Sequence, residues 1–200
     1  MKKYHMLAFA LLLLLLPQAS HAKAPIQIGG FTLGQNVSSY QNQIIPGTAM
    51  AVYENGMCEE VQVKVSNGFK TGSMQYGVCA DPGRIVHVEF KYEDSSKQFF
   101  DKLLEQCKKQ FGNPNEYKGD SFRVFIAWKW IFFDDQNNRI TLKIQHNAKD
   151  EEQRLGNVIK LTMTNLVDNE RKCWRESMKS RDGEKQVRQG KVNWDQLLPR

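Results

Sequence analysis

Between Ser121 and Met163 the chain alternates in character with a period of two. Phe122, Val124, Ile126, Trp128, Trp130 and Phe132 fall on one side of an extended segment, and Phe125, Ala127, Ile131 and Phe133 occupy much of the other. Ile140, Leu142, Ile144 and His146 alternate next, and Ile159, Leu161 and Met163 then alternate with Lys160, Thr162 and Thr164. Successive side chains of a strand point to opposite faces, so these three stretches read as strands that each offer a face to a core. Asp134 to Asn138 supplies the turn that makes the first two antiparallel neighbours. Being apolar on both sides, the Ser121–Phe133 strand is expected to run through the centre of the sheet.

The upstream half follows the same logic. Val61, Val63 and Val65 alternate, Asn67-Gly68 turns the chain, and Thr71 to Cys79 returns as a partner. Asp81-Pro82-Gly83 turns it again into Val86, Val88, Phe90 and Tyr92. Phe100, Leu103, Leu104, Cys107 and Phe111 then keep helical spacing, with Ser95 or Ser96 as cap and Gly112 and Pro114 as stop signals. A shorter helix carries Val37, Tyr40 and Ile44 behind an Asn36 cap and ends at Pro46-Gly47, and Thr48 to Tyr53 suits a strand. Asp168 or Asn169 is expected to cap a last, charged helix through Cys173 and Trp174. The pattern predicts an α+β fold: a mainly antiparallel sheet, a long amphipathic helix packed on one face, and a C-terminal helix.

The first residues carry a different message. Lys2 and Lys3 precede an apolar run from Met6 to Leu16 that is too short to span a bilayer, and Pro17 breaks it. Ser20 and Ala22 are the small residues a signal peptidase requires, so residues 1–22 read as a secretion signal cut after Ala22. No later segment is a long uncharged apolar run, so no transmembrane segment is expected in the mature chain. Residues 23–179 form a single expected domain, large enough to bury around 70% of its unfolded surface. Residues 180–200 form a basic, flexible tail closed by Val192, Trp194, Leu197 and Leu198.

Charge sharpens this division. The formal charge of +6 falls to +4 without the leader, and residues 171–200 carry +5 of the remainder, with nine basic and four acidic side chains. A near-neutral domain lacks the basic face that nucleic acid requires, so no nucleic-acid partner is expected. The tail suits an envelope partner, anionic lipid or an acidic protein.

Four cysteines in an exported chain favour disulfides, and Cys58, Cys79, Cys107 and Cys173 allow three pairings. A hairpin centred between Gly68 and Phe69 would set Cys58 opposite Cys79, within cross-strand disulfide reach. Cys107 and Cys173 then either pair by elimination or remain buried thiols. The CxxC spacing of redox enzymes is absent, as are clustered metal-ligand spacings, so no metal and no cofactor is expected.

Catalytic candidates are few. His87, on the polar face of its strand, and His146, at the end of a buried face, are the only histidines beyond the leader. No nucleophile elbow, P-loop, zinc-protease or dinucleotide fingerprint occurs. Asp134, Asp135, Asn137 and Asn138 resemble the start of a calcium loop but lack its glycine and terminal glutamate, and read as a turn. Asp150, Glu151 and Glu152 read as a solvated loop. Trp128 and Trp130, two indoles on one strand face, can line a groove for an apolar or sugar-like ligand or pack against the Phe100–Phe111 helix.

Gly30-Phe-Thr-Leu-Gly34 leading to Val37 and Tyr40, then Leu104 to Phe111-Gly-Asn-Pro114, then Trp128-Lys-Trp130 and Ile140-Thr-Leu142, resembles a pattern in uncharacterised exported α+β proteins of Gram-negative bacteria. Shorter pieces are similar to small outer-membrane assembly lipoproteins, whose lipid-accepting cysteine this chain lacks. No functional residue carries over from either. The expectation is a periplasmic or secreted, non-catalytic binding or interaction module. The alternatives are an enzyme of unfamiliar class using His87 or His146, and a secreted hydrolase inhibitor.

Overall fold

The computed structural model describes residues 23–52, 57–122, 124–149 and 156–188, with side chains through residue 179. The expected signal peptide with its cut at Ala22, the acidic stretch from Asp150 to Glu152 and the cluster around Trp194 lie outside these residues.

The fold is α+β. A small hairpin, β1 (Gln27–Ile28) with β2 (Phe31–Thr32), precedes a 3-10 helix (Val37–Gln43). The main sheet contains β3 (Met50–Val52), β4 (Cys58–Val63), β5 (Phe69–Gly77), β6 (Ile85–Tyr92), β7 (Glu116–Tyr117), β8 (Phe125–Phe133), β9 (Arg139–Asn147) and β10 (Gly156–Met163). Helix α1 (Lys97–Phe111) lies between β6 and β7, and α2 (Thr164–Arg188) follows β10. The eight strands are ordered β3-β4-β5-β6-β10-β9-β8-β7, with every neighbouring pair antiparallel.

Local chemistry sets the boundaries. Asn36 caps the 3-10 helix by accepting from Ser38 N–H, and Ser96 Oγ accepts from Phe99 N–H at the start of α1. Gly112, at φ 78°, ends α1 in a conformation that suits glycine. The Asp134–Asn138 segment is the turn its residues predict, since Asp134 Oδ1 accepts from the backbone of Gln136 and Asn138.

One sheet face holds the core. Ile126, Trp130, Ile140, Leu142, Ile144, Leu161, Val88, Phe90, Met74 and Val61 are buried there, matched by the α1 stripe through Phe100 and Cys107. Phe31 reaches in from the small hairpin, its ring 6.0 Å from that of Phe90.

The other face carries mainly polar rows ordered by register. Glu116, Lys129, Lys143, Lys160, Glu89, Ser73 and Gln62 stand directly opposite one another across seven consecutive strands. The adjoining row runs Ile131, Thr141, Thr162, His87, Gln75 and Glu60.

Four expectations need correction. Strand β8 lies one place from the sheet edge, and β6 and β10 occupy the middle. Its second side is mixed: Ala127 is fully buried, Phe125 and Ile131 are half-buried, and Phe133 at the end of the strand is 61% exposed. The last helix begins at Thr164, without a separate cap at Asp168 or Asn169. Thr164 Oγ1 donates to Arg139 O, and Asn165 Oδ1 accepts from Arg139 N–H, so β10 passes straight into α2. That helix continues through Arg188, across the boundary expected at residue 180.

The cysteine pairing is the fourth. Cys79 bonds Cys173, while Cys58 and Cys107 are free and buried. Cys58 stands opposite Gly77 and Val63 opposite Gly72, so the hairpin axis falls between Asn67 and Gly68. Moving the axis one residue moves each partner by two, which carries Cys79 beyond the end of β5 and towards α2.

Candidate functional site: the cleft between α1 and the β8 edge

The α1 stripe places Phe100 and Leu104 one turn apart, facing the sheet. Opposite them, Trp130 and Trp128 share a strand face but have different surroundings. Trp130 is 1% exposed, and its indole N–H donates to Gly112 O at 2.9 Å, so it is a core residue that fixes the end of α1. Trp128 is half-buried beside Tyr117, its partner in register, with the rings edge to face at 4.9 Å. Lys108 Nζ sits 5.7 Å from the Trp128 ring. The expected groove therefore belongs to Trp128 alone.

Around Trp128 lies a cleft of about 590 Å³. Its floor is Phe100, Leu104, Ile126 and Trp128, and its rim carries Tyr117, Lys97, Asp101, Asp120 and Ser121. Lys97 and Asp101 form an ion pair one turn apart on α1. Asp120 shapes the opposite rim by accepting from Val124 N–H at 3.2 Å and from Phe125 N–H at 2.5 Å, while Tyr117 OH donates to Asp120 O. Phe122, in the same loop, is 89% exposed.

His146 lines the inner end of this cleft. Its ring centroid is 5.6 Å from that of Phe100, and Nδ1 is 2.8 Å from Asn157 Oδ1. Asn157 Nδ2 donates to Asp94 O and Ser96 O, which identifies Oδ1 as the acceptor. Nδ1 is thus the donor of this hydrogen bond. His87 lies on the polar face, with Nδ1 2.6 Å from Thr162 Oγ1 and Nε2 3.9 Å from Glu89 Oε2. That second distance exceeds a hydrogen bond, so neither histidine is hydrogen-bonded to a carboxylate among the described residues.

Burial governs the free thiols. Cys107 borders a second cleft, of about 650 Å³, between the Lys23–Ile28 segment and α1. Burial pushes its thiol up to about 11. Cys58 is likewise pushed up to about 11 by burial, with the Glu170 charge adding to the effect. Thiols held this far above neutral pH are protonated and unreactive.

Trp128 and His146, both singled out from the sequence, line one cleft, together with Tyr117 and Asp120, which the sequence does not single out. The two-residue β7 is too short to show periodicity; the only trace is an aromatic residue three places before an aspartate in a polar loop. Among the described residues no cluster of histidine, cysteine, aspartate and glutamate is arranged to hold a metal ion, and no helix is long and apolar enough to cross a membrane. No protein-family model matches the chain, and no curated protein or solved structure is significantly similar to it.

Proposed function

We propose that this chain is an exported, non-catalytic binding module of the cell envelope, and that the cleft around Trp128 receives its ligand. The observation that carries the reading is the position of Trp128: a half-buried indole on an apolar floor, ringed by Lys97, Asp101, Asp120 and Ser121. An aromatic platform with charged and hydroxyl groups at its edge suits a ligand with one apolar face and several hydroxyls, the chemistry of a sugar. Export accords with the short apolar leader, and the Cys79–Cys173 bond accords with an oxidising compartment. The enzymatic alternative would rest on His146, which shares the cleft with Asp101 and Asp120, yet its Nδ1 is committed to Asn157.

Amide NMR titration with soluble oligosaccharides, using N-acetylglucosamine trimer and maltotriose as probes, tests this reading. Saturable shifts confined to residues 97–104 and 117–128, abolished by Trp128→Ala, support it. Their absence with every sugar rejects the sugar class, and export is checked separately by the mature N-terminus of envelope-fractionated protein.

A further inference from the structure

We propose that the sheet face turned away from α1 carries a second site, built on Lys129, Lys143 and Lys160, for a phosphate-type polyanion. The three lysines are consecutive cross-strand partners on β8, β9 and β10. Like charges directly opposite one another destabilise a sheet, so such a row calls for negative charge beside it.

The available carboxylates meet only the ends of the row. Lys160 Nζ is 2.7 Å from Glu89 Oε2, which also lies 3.9 Å from His87 Nε2. Lys129 Nζ is 3.6 Å from Glu116 Oε2, and Lys118 takes the same oxygen at 2.9 Å. Among the described residues two carboxylates thus face four lysines, and Lys143, in the middle, forms no ion pair with any of them. Its ammonium rests 5.3 Å from the centroid of the Phe125 ring. Burial and then the neighbouring Lys160 charge lower the Lys143 pKa, with Lys118 and Lys129 acting in the same direction and Glu89 opposing them.

A second observation comes from the next residue on this face. Gln145 is fully buried, and neither its Nε2 nor its Oε1 has a hydrogen-bond partner. It follows Lys143 by one strand repeat and lies diagonal to Lys129 and Lys160. A buried amide donor without an acceptor is costly, and here it adjoins an unpaired ammonium.

The spacing selects the ligand class. Neighbouring strands lie about 4.8 Å apart, so the three ammonium stems span roughly 10 Å. One carboxylate offers a single negative charge against an excess of two positive charges. A phosphate dianion bridges two of these lysines, and a diphosphate reaches all three, with lysine acting as a point-charge donor to phosphate oxygens.

The test uses the full disulfide-bonded protein and two probes: inorganic pyrophosphate, and vesicles of phosphatidylglycerol in phosphatidylcholine. Pyrophosphate should give saturable amide shifts at residues 127–131, 141–145 and 158–162. Lys143→Met should weaken binding about tenfold, while Lys108→Met, at the cleft on the other face, should leave it unchanged. Vesicle binding sensitive to Lys143→Met, without pyrophosphate binding, would assign the site to a lipid headgroup. Equal affinity of wild type and Lys143→Met, equal loss in Lys108→Met, or binding to neither probe overturns the proposal. Lys129→Gln serves as the second variant should Lys143→Met not fold.

Discussion

Glu170 and Cys173, one turn apart on α2, hold the same loop from the same side. Glu170 Oε2 accepts the backbone N–H of Val78, Cys79 and Ala80 at 3.2, 2.7 and 3.1 Å, and its Oε1 accepts that of Asp81 at 2.7 Å. Cys173 bonds Cys79 within that run. A carboxylate that gathers four backbone donors satisfies a loop that otherwise has no ladder, and the disulfide fixes it in place.

The bond should be found as one linked peptide. Digestion without reduction is expected to yield Cys79 joined to Cys173, with Cys58 and Cys107 as thiols. The bridge spans a sequence separation of 94 residues, so Cys79→Ser with Cys173→Ser should cost about 4 to 5 kcal/mol in the chain-entropy account. Urea unfolding measures this, and an unchanged midpoint would refute it.

Gly77 has no side chain because Glu170 occupies its place. A Cβ at Gly77 would overlap Oε1 and Cδ of Glu170. Gly77→Ala is therefore expected to lose about 2 kcal/mol, and Glu170→Ala roughly 3 kcal/mol through its orphaned N–H groups. Since Glu170→Ala also makes room for the new methyl, the double variant should lose clearly less than the sum of the two. Additive losses in a double-mutant cycle would show that the two residues do not meet.

Alkaline pH should weaken the fold. Cys58 and Cys107 stand at about 11 in the folded chain against an ordinary value of 9.0, so above pH 9 the unfolded chain releases protons that the folded chain retains. Stability from these thiols is fully present below pH 9 and declines as pH rises towards 11, by on the order of 2 kcal/mol per thiol. Tyr92, raised chiefly by burial, acts in the same direction at higher pH. Denaturation midpoints that stay flat from pH 8 to 11 would contradict this. Iodoacetamide at pH 8 should label both thiols only after unfolding.

The two tryptophans should separate on mutation. Trp130→Ala removes a 1%-exposed core ring and its bond to Gly112, for about 4 kcal/mol. Trp128→Ala, at the half-buried cleft, should cost about half as much, while any ligand response disappears. Comparable stability losses from both variants would place Trp128 in the core instead.

Much of the sheet can be read from the sequence because each strand signals itself. The alternation through Ile140 to His146 and Ile159 to Met163 reports burial of one face, and Ser96 and Gly112 mark α1 by capping chemistry. What each strand faces is set by register, which no single strand carries. Lys129, Lys143 and Lys160 are isolated residues in three separate segments, and pairing alone brings them into line. The disulfide was obscured for the same reason: a hairpin axis one residue from the expected place changes every partner, and the true partner of Cys79 lies in a helix 94 residues further along the chain.

The Cys79–Cys173 bond also joins cysteines that are not neighbours along the chain. In a chain that emerges N-terminus first, Cys58 and Cys79 appear together and Cys107 soon after, whereas Cys173 comes last. The nearest thiols in time are all wrong partners. In the folded chain Cys58 is buried in β4 and Cys107 on the sheet-facing side of α1, which withdraws both from exchange and leaves Cys79 against Cys173. The correct link can close only with the last helix seated against the loop of residues 78–81.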